Sequence, residues 1–300
     1  METNDAEGLK SAGRASAEAL AYSKSVVKPG KSISDAAEEI EAFIKGKGFE
    51  LSFPVNLSVN EQAAHYTPEI DDKRTFSEND VVKVDLGARK GSSLTDCAIT
   101  IDLSGKFQKH IEAVEESLES AISLVKAGRQ LREIGREINA VAERHGLKPI
   151  RNLGGHGISE TELHADIFVP NFDNGDNTEL QEGQTIAIEP FFTNGKGYVE
   201  DGAYTAIFQK NAGFTPRSAE AREVNSFIDK NFLTYPFATR WLAKELGNLG
   251  DFKIRRGIAE LLNAGVLEPF PVLIEKGRGI VVQAEKSLTV QKEGCDIITG

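Results

Sequence analysis

The sequence predicts an α+β fold of two similar halves related by a pseudo-twofold axis, and three observations carry that prediction. Residues 25–49, SVVKPGKSISDAAEEIEAFIKGKGF, lie over residues 123–147, SLVKAGRQLREIGREINAVAERHGL, at a constant shift of 98 with no gap. β-rich runs follow each copy. Those runs carry carboxylates, residues that are poor strand formers and costly on a buried sheet face unless a cation meets them.

In the repeat, Ser25, Val27, Lys28, Gly30, Glu39, Ile40, Ala42 and Gly48 each meet an identical residue. Each copy reads as a helix, a glycine turn and a second helix with apolar residues at spacings of 3 and 4 that stops at a glycine. A unit present only twice does not suit a solenoid, which needs about three repeats or more. The strand signals are VVKVDLGA (81–88) and TDCAITIDL (95–103) in the first half, and QTIAIEPFF (184–192) and GIVVQAEKSLTV (279–290) in the second. Residues 207–270 interrupt the last two as a small helical insert. NSFIDKNFLTYPFATRWLAKELG and RRGIAELLNAGVLEPFPVL read there as helices ending near Gly247 and Gly265, in a pattern resembling a winged helix. The expected domains are therefore 1–206 with 271–300, and 207–270.

The 300 residues, 40% hydrophobic and 27% charged, fit an ordinary globular chain of one large domain or one with a smaller companion. No stretch approaches the roughly 18 apolar residues of a membrane span. Residues 1–30 begin acidic and read as an amphipathic helix without the basic start and apolar middle of a secretory signal, so a cytoplasmic location is expected. Cys97 and Cys295 lie far apart without CxxC spacing, which argues against a disulfide framework or a thiolate zinc site. A net charge of −11 disfavours nucleic-acid binding. Lys253, Arg255 and Arg256 in the insert are too few to reverse that.

Four carboxylates occupy positions that should be sheet: Asp85, Asp96, Glu189 and Glu285. His156 joins them in NLGGHGIS, where the surrounding glycines suggest a tight turn that presents the ring. Singly, each has a plain structural reading. Together, in a chain of two β halves, they suggest one centre. Four ionised carboxylates without cations would raise one another's pKa strongly, whereas two divalent ions supply the compensating charge. One histidine and four carboxylates form an oxygen-rich site suited to Mn, Fe, Co or Zn. A metal pair of that kind lowers the pKa of a shared water and polarises a carbonyl, which is hydrolysis chemistry.

The ordered set VDLGA, TDCAIT, GGHGI, AIEPF and VQAEKS, with NLSVNEQAAHYTP upstream and ELHAD after His156, resembles the methionine aminopeptidases of the pita-bread fold over nearly the whole chain. LTYPFATRWL in the insert is similar to the type 2 subfamily of archaea and eukaryotes. The resemblance implies Asp85 as a bidentate ligand of one metal, Asp96 and Glu285 as bridging ligands, and His156 and Glu189 as ligands of the other. Glu189 would also be the general base. His65 and His164 match the family's two non-ligand histidines, which contact the substrate's amine side and the scissile carbonyl or leaving nitrogen. The implied substrates are N-terminal Met peptides and nascent chains with a small second residue. A ribosome contact, no membrane, no specific nucleic acid and a monomeric state complete the expectation.

His110 and His145, outside any motif, read as surface residues. Ala284 and Lys286 stand where the family often has Phe and His, Gly157 where a larger polar residue is common, and Asp166 where Gly is usual. These departures bear on pocket shape, rate and metal preference rather than on the ligands. Two other readings compete: a prolidase or aminopeptidase P relative, which normally carries an additional N-terminal domain, and a non-catalytic binding protein on the same fold. Glu2 after Met1, long and anionic, predicts that Met1 is retained.

Overall fold

The computed structural model describes residues 3–160, 162–211, 213 and 215–300, with the backbone alone for 3–5; Met1 and Glu2 lie outside the described residues. The two copies of the sequence repeat fold alike. Helix α1 (Thr3–Val26) turns into α2 (Ile33–Gly46), and α3 (Gln108–Ser123) turns into α4 (Leu131–Arg144), so that α2 and α4 are offset by the same 98 residues. Gly30 and Gly128, equivalent in the two copies, both take φ of +81°, a left-handed conformation that glycine adopts without steric cost. Ser32 caps α2 by accepting from the Asp35 amide, and Gln130 with Glu133 forms a capping box on α4. The two cap residues, Ser32 and Gln130, also make equivalent isolated bridges to Thr75 and Glu179.

The helices cover one face of an eight-stranded sheet. Its order is Ala165–Pro170, Gly154–Ile158, Thr185–Ile188, Glu285–Val290, Cys97–Asp102, Val81–Leu86, Asn56–Val59, with Cys295–Ile297 paired to Glu285–Val290. The ladders are antiparallel. The pseudo-twofold axis passes between the two central strands, Glu285–Val290 and Cys97–Asp102. Side chains alternate across a strand with a period of two, and one set is apolar. Leu57, Val82, Val84, Leu86 and Cys97 pack on α1 and α2, while Ile186, Ile188, Leu288 and Val290 pack on α3 and α4. The opposite face is left for polar residues.

Two expectations are corrected here. Of the four carboxylates, Asp85 and Glu285 lie in strands as expected, whereas Asp96 immediately precedes Cys97–Asp102 and Glu189 falls between Thr185–Ile188 and Phe191–Thr193. Pro190 offers no N–H to the ladder, so the pairing is interrupted beside Glu189 and resumes at Phe191, where Val281–Gln283 is the partner. The first insert helix is also two: α5 (Ala219–Asn231) ends before Leu233, at φ +54°, and Pro236, and α6 (Thr239–Glu245) begins beyond them.

With α7 (Asp251–Asn263), these helices bury an apolar core of their own that includes Phe208, Val224, Ile228, Phe237, Leu242, Ile254 and Leu261. They hang from the long hairpin Val199–Lys210 and Leu267–Glu275. A buried ion pair between Arg240 and Glu41 ties them to α2, and Trp241 Nε1–H donates to the same carboxylate at 2.9 Å. Among the described residues no helix is long and apolar enough to cross a membrane.

Candidate metal centre

Strand register assembles the site. Asn56 pairs with Asp85, Asp85 with Ala98, and Ala98 with Glu285. The ladder from Thr185↔Thr289 to Ile188↔Lys286 keeps its register through Phe191↔Gln283, so Glu189 and Glu285 face each other across the break. One row across the sheet thus reads Asn56, Asp85, Ala98, Glu285, Glu189. Asp96 lies on the same face as Ala98, two residues earlier. The Ile186↔Gly157 pair sets His156 opposite Ala187, on the Glu189 face. All five expected ligands therefore converge on the face that the helices do not cover.

His156 Nε2 lies 3.3 Å from Asp96 Oδ2 and 3.7 Å from Glu189 Oε1. Ligand atoms of Asp96, His156 and Glu285 all lie within 4.8 Å of one another, and all three residues are buried. The Gly157 carbonyl can only accept, so the contact at 3.1 Å puts the His156 proton on Nδ1 and leaves the Nε2 lone pair facing the carboxylates. The glycines beside His156 serve clearance rather than the expected tight turn. Gly154–Ile158 is an extended strand, and a Cβ on Gly155 would stand 2.2 Å from the Ala187 carbonyl oxygen.

Burial pushes the Asp96 carboxyl up to about 8. Asp85, Glu189 and Glu285 are held well above the usual carboxylate range, by burial first and then by mutual repulsion. Burial lowers His156 to about 4, so its ring is neutral at neutral pH. Asp85 Oδ1, Asp96 Oδ1 and Glu285 Oε1 are buried without a hydrogen-bond partner. Among the described residues no Lys or Arg forms an ion pair with any of the four carboxylates. A buried carboxylate cluster that faces a neutral imidazole lone pair and holds oxygens with no hydrogen-bond partner is what divalent cations require, and the hard donor set fits them.

A cavity of about 490 Å³ opens above this floor, walled by Phe53, Ala64, Leu163, Ile167, Phe168, Phe191, Ile207, Pro236 and Phe270. His65 and His164 line it too. His65 takes φ of +65°, a strained value for a non-glycine residue and one that recurs at functional sites. Its Nδ1–H donates to the Pro271 carbonyl at 3.3 Å, leaving Nε2 as an acceptor. Burial, and then the neighbouring His164, lower it to about 4. The His164 ring stands edge-on to His156 at 4.5 Å, and its pKa is also lowered, chiefly by desolvation, which its exposed side toward the cavity softens.

Three of the four departures noted in the sequence miss the cavity. Ala284 and Lys286 alternate with Glu285 and point to the helix side, Ala284 into the apolar core and Lys286 near Glu115. Gly157 lines a separate recess, and only Asp166 reaches the main cavity. His145 is exposed, as expected, and hydrogen-bonds Glu116, but His110 is half-buried against Phe107. One residue was overlooked. Gln283 is fully buried, and its Nε2 lies 3.3 Å from Glu189 Oε2 and Glu285 Oε2 and 3.4 Å from Asp85 Oδ2. Its position two residues before Glu285 was the available signal, since that spacing puts both on one face.

The profile of metallopeptidase family M24 matches residues 7–215, and the chain belongs to that family. A methionine aminopeptidase of Saccharolobus solfataricus is 38% identical over 100% of this chain and 99% of its own length. One from Methanocaldococcus jannaschii is 36% identical over the whole of both chains. Within the family this chain therefore groups with the archaeal-type methionine aminopeptidases. The solved structure of a thermophilic Arx1 superposes with a TM-score of 0.85 at 17% identity, covering 100% of this chain and 92% of that one, a likeness of fold. The fold is the curled antiparallel, helix-backed pita-bread arrangement expected from the sequence.

Proposed function

We propose that the chain hydrolyses the peptide bond after an N-terminal methionine, in peptides and nascent chains whose second residue is small. The observation that carries this reading is a buried carboxylate cluster, some of its oxygens without any hydrogen-bond partner, that faces the His156 lone pair beneath an apolar cavity. Asp85, Asp96, His156, Glu189 and Glu285 would hold two divalent ions of Co, Mn, Fe or Zn. Bound there, such ions polarise a carbonyl and make water acidic enough to deprotonate near neutral pH.

The chain's own groups supply the rest. Glu189, at the break in its ladder, accepts the proton of the attacking water and passes it to the leaving nitrogen. His65, with Nδ1–H committed to Pro271, offers Nε2 to the substrate's ammonium. His164, edge-on against His156, lies on the side of the scissile carbonyl and leaving nitrogen. The apolar walls receive the methionine side chain. Residues 207–270 form a subdomain of the catalytic domain, and Ile207, Pro236 and Phe270 bring it into the wall that limits the next residue.

The test is release of free methionine from Met-Ala-Ser and Met-Glu-Ser, with and without chelator. Release from the first peptide alone, abolished by chelator and restored by added divalent metal, is expected. Equal release from both peptides, or release that survives exhaustive chelation, refutes the reading.

A further inference from the structure

Gln283 stands at the centre of the carboxylate cluster without being one of its candidate ligands. Its backbone is clamped in both directions by Thr100, whose Oγ1 accepts from the Gln283 amide at 2.8 Å and donates to the Gln283 carbonyl at 2.7 Å. The fixed backbone aims the side chain along the sheet face, where one NH₂ group meets three carboxylates. Its choice of oxygens is selective. The amide takes Oδ2 of Asp85 and Oε2 of Glu285, and the other oxygen of each, Oδ1 and Oε1, is the one left buried without a partner. On Glu189 it takes Oε2, while Oε1 faces His156.

We propose that Gln283 is a positioning residue that orients Asp85, Glu189 and Glu285 for cations, engaging one oxygen of each and leaving the other to a cation. This rests on the reading that these carboxylates hold divalent cations. Without the amide, the three carboxyl groups lose the shared donor that fixes which oxygen each presents, and each is free to turn. Reassembling them then falls to the incoming metal and lowers its affinity. Groups that orient metal ligands in this way typically change metal affinity about 10- to 100-fold when removed.

The experiment titrates Mn²⁺ alone into chelator-treated protein by calorimetry, comparing wild type with Gln283→Leu, similar in bulk but without the donor. Gln283→Leu is expected to bind Mn²⁺ about 10- to 100-fold more weakly, with an unchanged far-ultraviolet circular dichroism spectrum. Thr100→Val removes the clamp and leaves Gln283 in place. It should weaken Mn²⁺ binding in the same direction by a smaller factor, and it carries the test if Gln283→Leu fails to fold. A purely structural role would lower the melting temperature of the variants and leave Mn²⁺ affinity as in wild type, and that result overturns the inference while the metal site stands. Wild-type protein that binds no Mn²⁺, nor Co²⁺ in its place, overturns both together.

Discussion

Removing divalent metal should make the protein's stability fall steeply as pH rises, and the carboxylate row sets the size of that fall. An aspartate in an unfolded chain titrates near pH 3.9, whereas burial pushes Asp96 up to about 8 in the metal-free fold. Between those values the native state holds a proton that the unfolded state has released, so stability is greatest below the lower value and is lost as pH climbs to the upper. Each proton held costs about 1.4 kcal/mol per pH unit. From pH 5 to 8 one such proton amounts to about 4 kcal/mol, a large part of the roughly 5–15 kcal/mol that stabilises a typical domain. Asp85, Glu189 and Glu285 are raised as well and add in the same direction. Saturating divalent metal must displace these protons, so its stabilising effect should grow over the same window. The assay is urea unfolding of chelator-treated protein at pH 5, 6, 7 and 8, for wild type and for Asp96→Asn, which keeps the shape and removes one titrating group. The two lines are expected to diverge as pH rises, the variant losing up to about 1.4 kcal/mol less per unit. Parallel lines, or a metal-free protein whose stability is flat or rising from pH 5 to 8, would refute the reasoning.

Four further outcomes are expected. Glu189→Gln should lower kcat by about 10² to 10⁴ while some metal still binds, measured by turnover beside metal analysis, because an amide cannot accept the water's proton. His65→Ala and His164→Ala should each reduce kcat/KM by about 10² to 10³ with metal content nearly unchanged, and loss of metal in either would redraw the ligand set. Arg240→Ala should cost about 3–5 kcal/mol in denaturant unfolding, since it strands the buried Glu41 carboxylate that joins the insert to α2. Lys83 is fully buried, its pKa lowered to about 7 by burial. A lysine held below its unfolded value destabilises most at low pH and recovers as pH rises from about 7 toward about 10.4. Lys83→Met should therefore raise the unfolding free energy, more at pH 6 than at pH 9.

The amino-acid sequence by itself determined the duplication, the helix pairs, the residue types of the site and their ligand chemistry. It did so because each of these is local. The repeat shows at a fixed offset, the glycine turns need a left-handed residue at Gly30 and Gly128, and a carboxylate is conspicuous in a β-rich run whatever lies across from it. Period-two alternation also held the unused information that Gln283 shares a face with Glu285, whereas Ala284 and Lys286 do not. Only the tertiary structure decided which residues meet. Asp85 and Glu285 are 200 positions apart, yet they flank the same Ala98, and that adjacency comes from strand order and register rather than from either segment. The break in pairing at Glu189 likewise depends on where its partner strand breaks, and the glycines beside His156 on how closely the Ala187 carbonyl approaches. A side chain's face follows from its own strand, but its neighbours follow from long-range hydrogen bonding that links residues far apart in the chain.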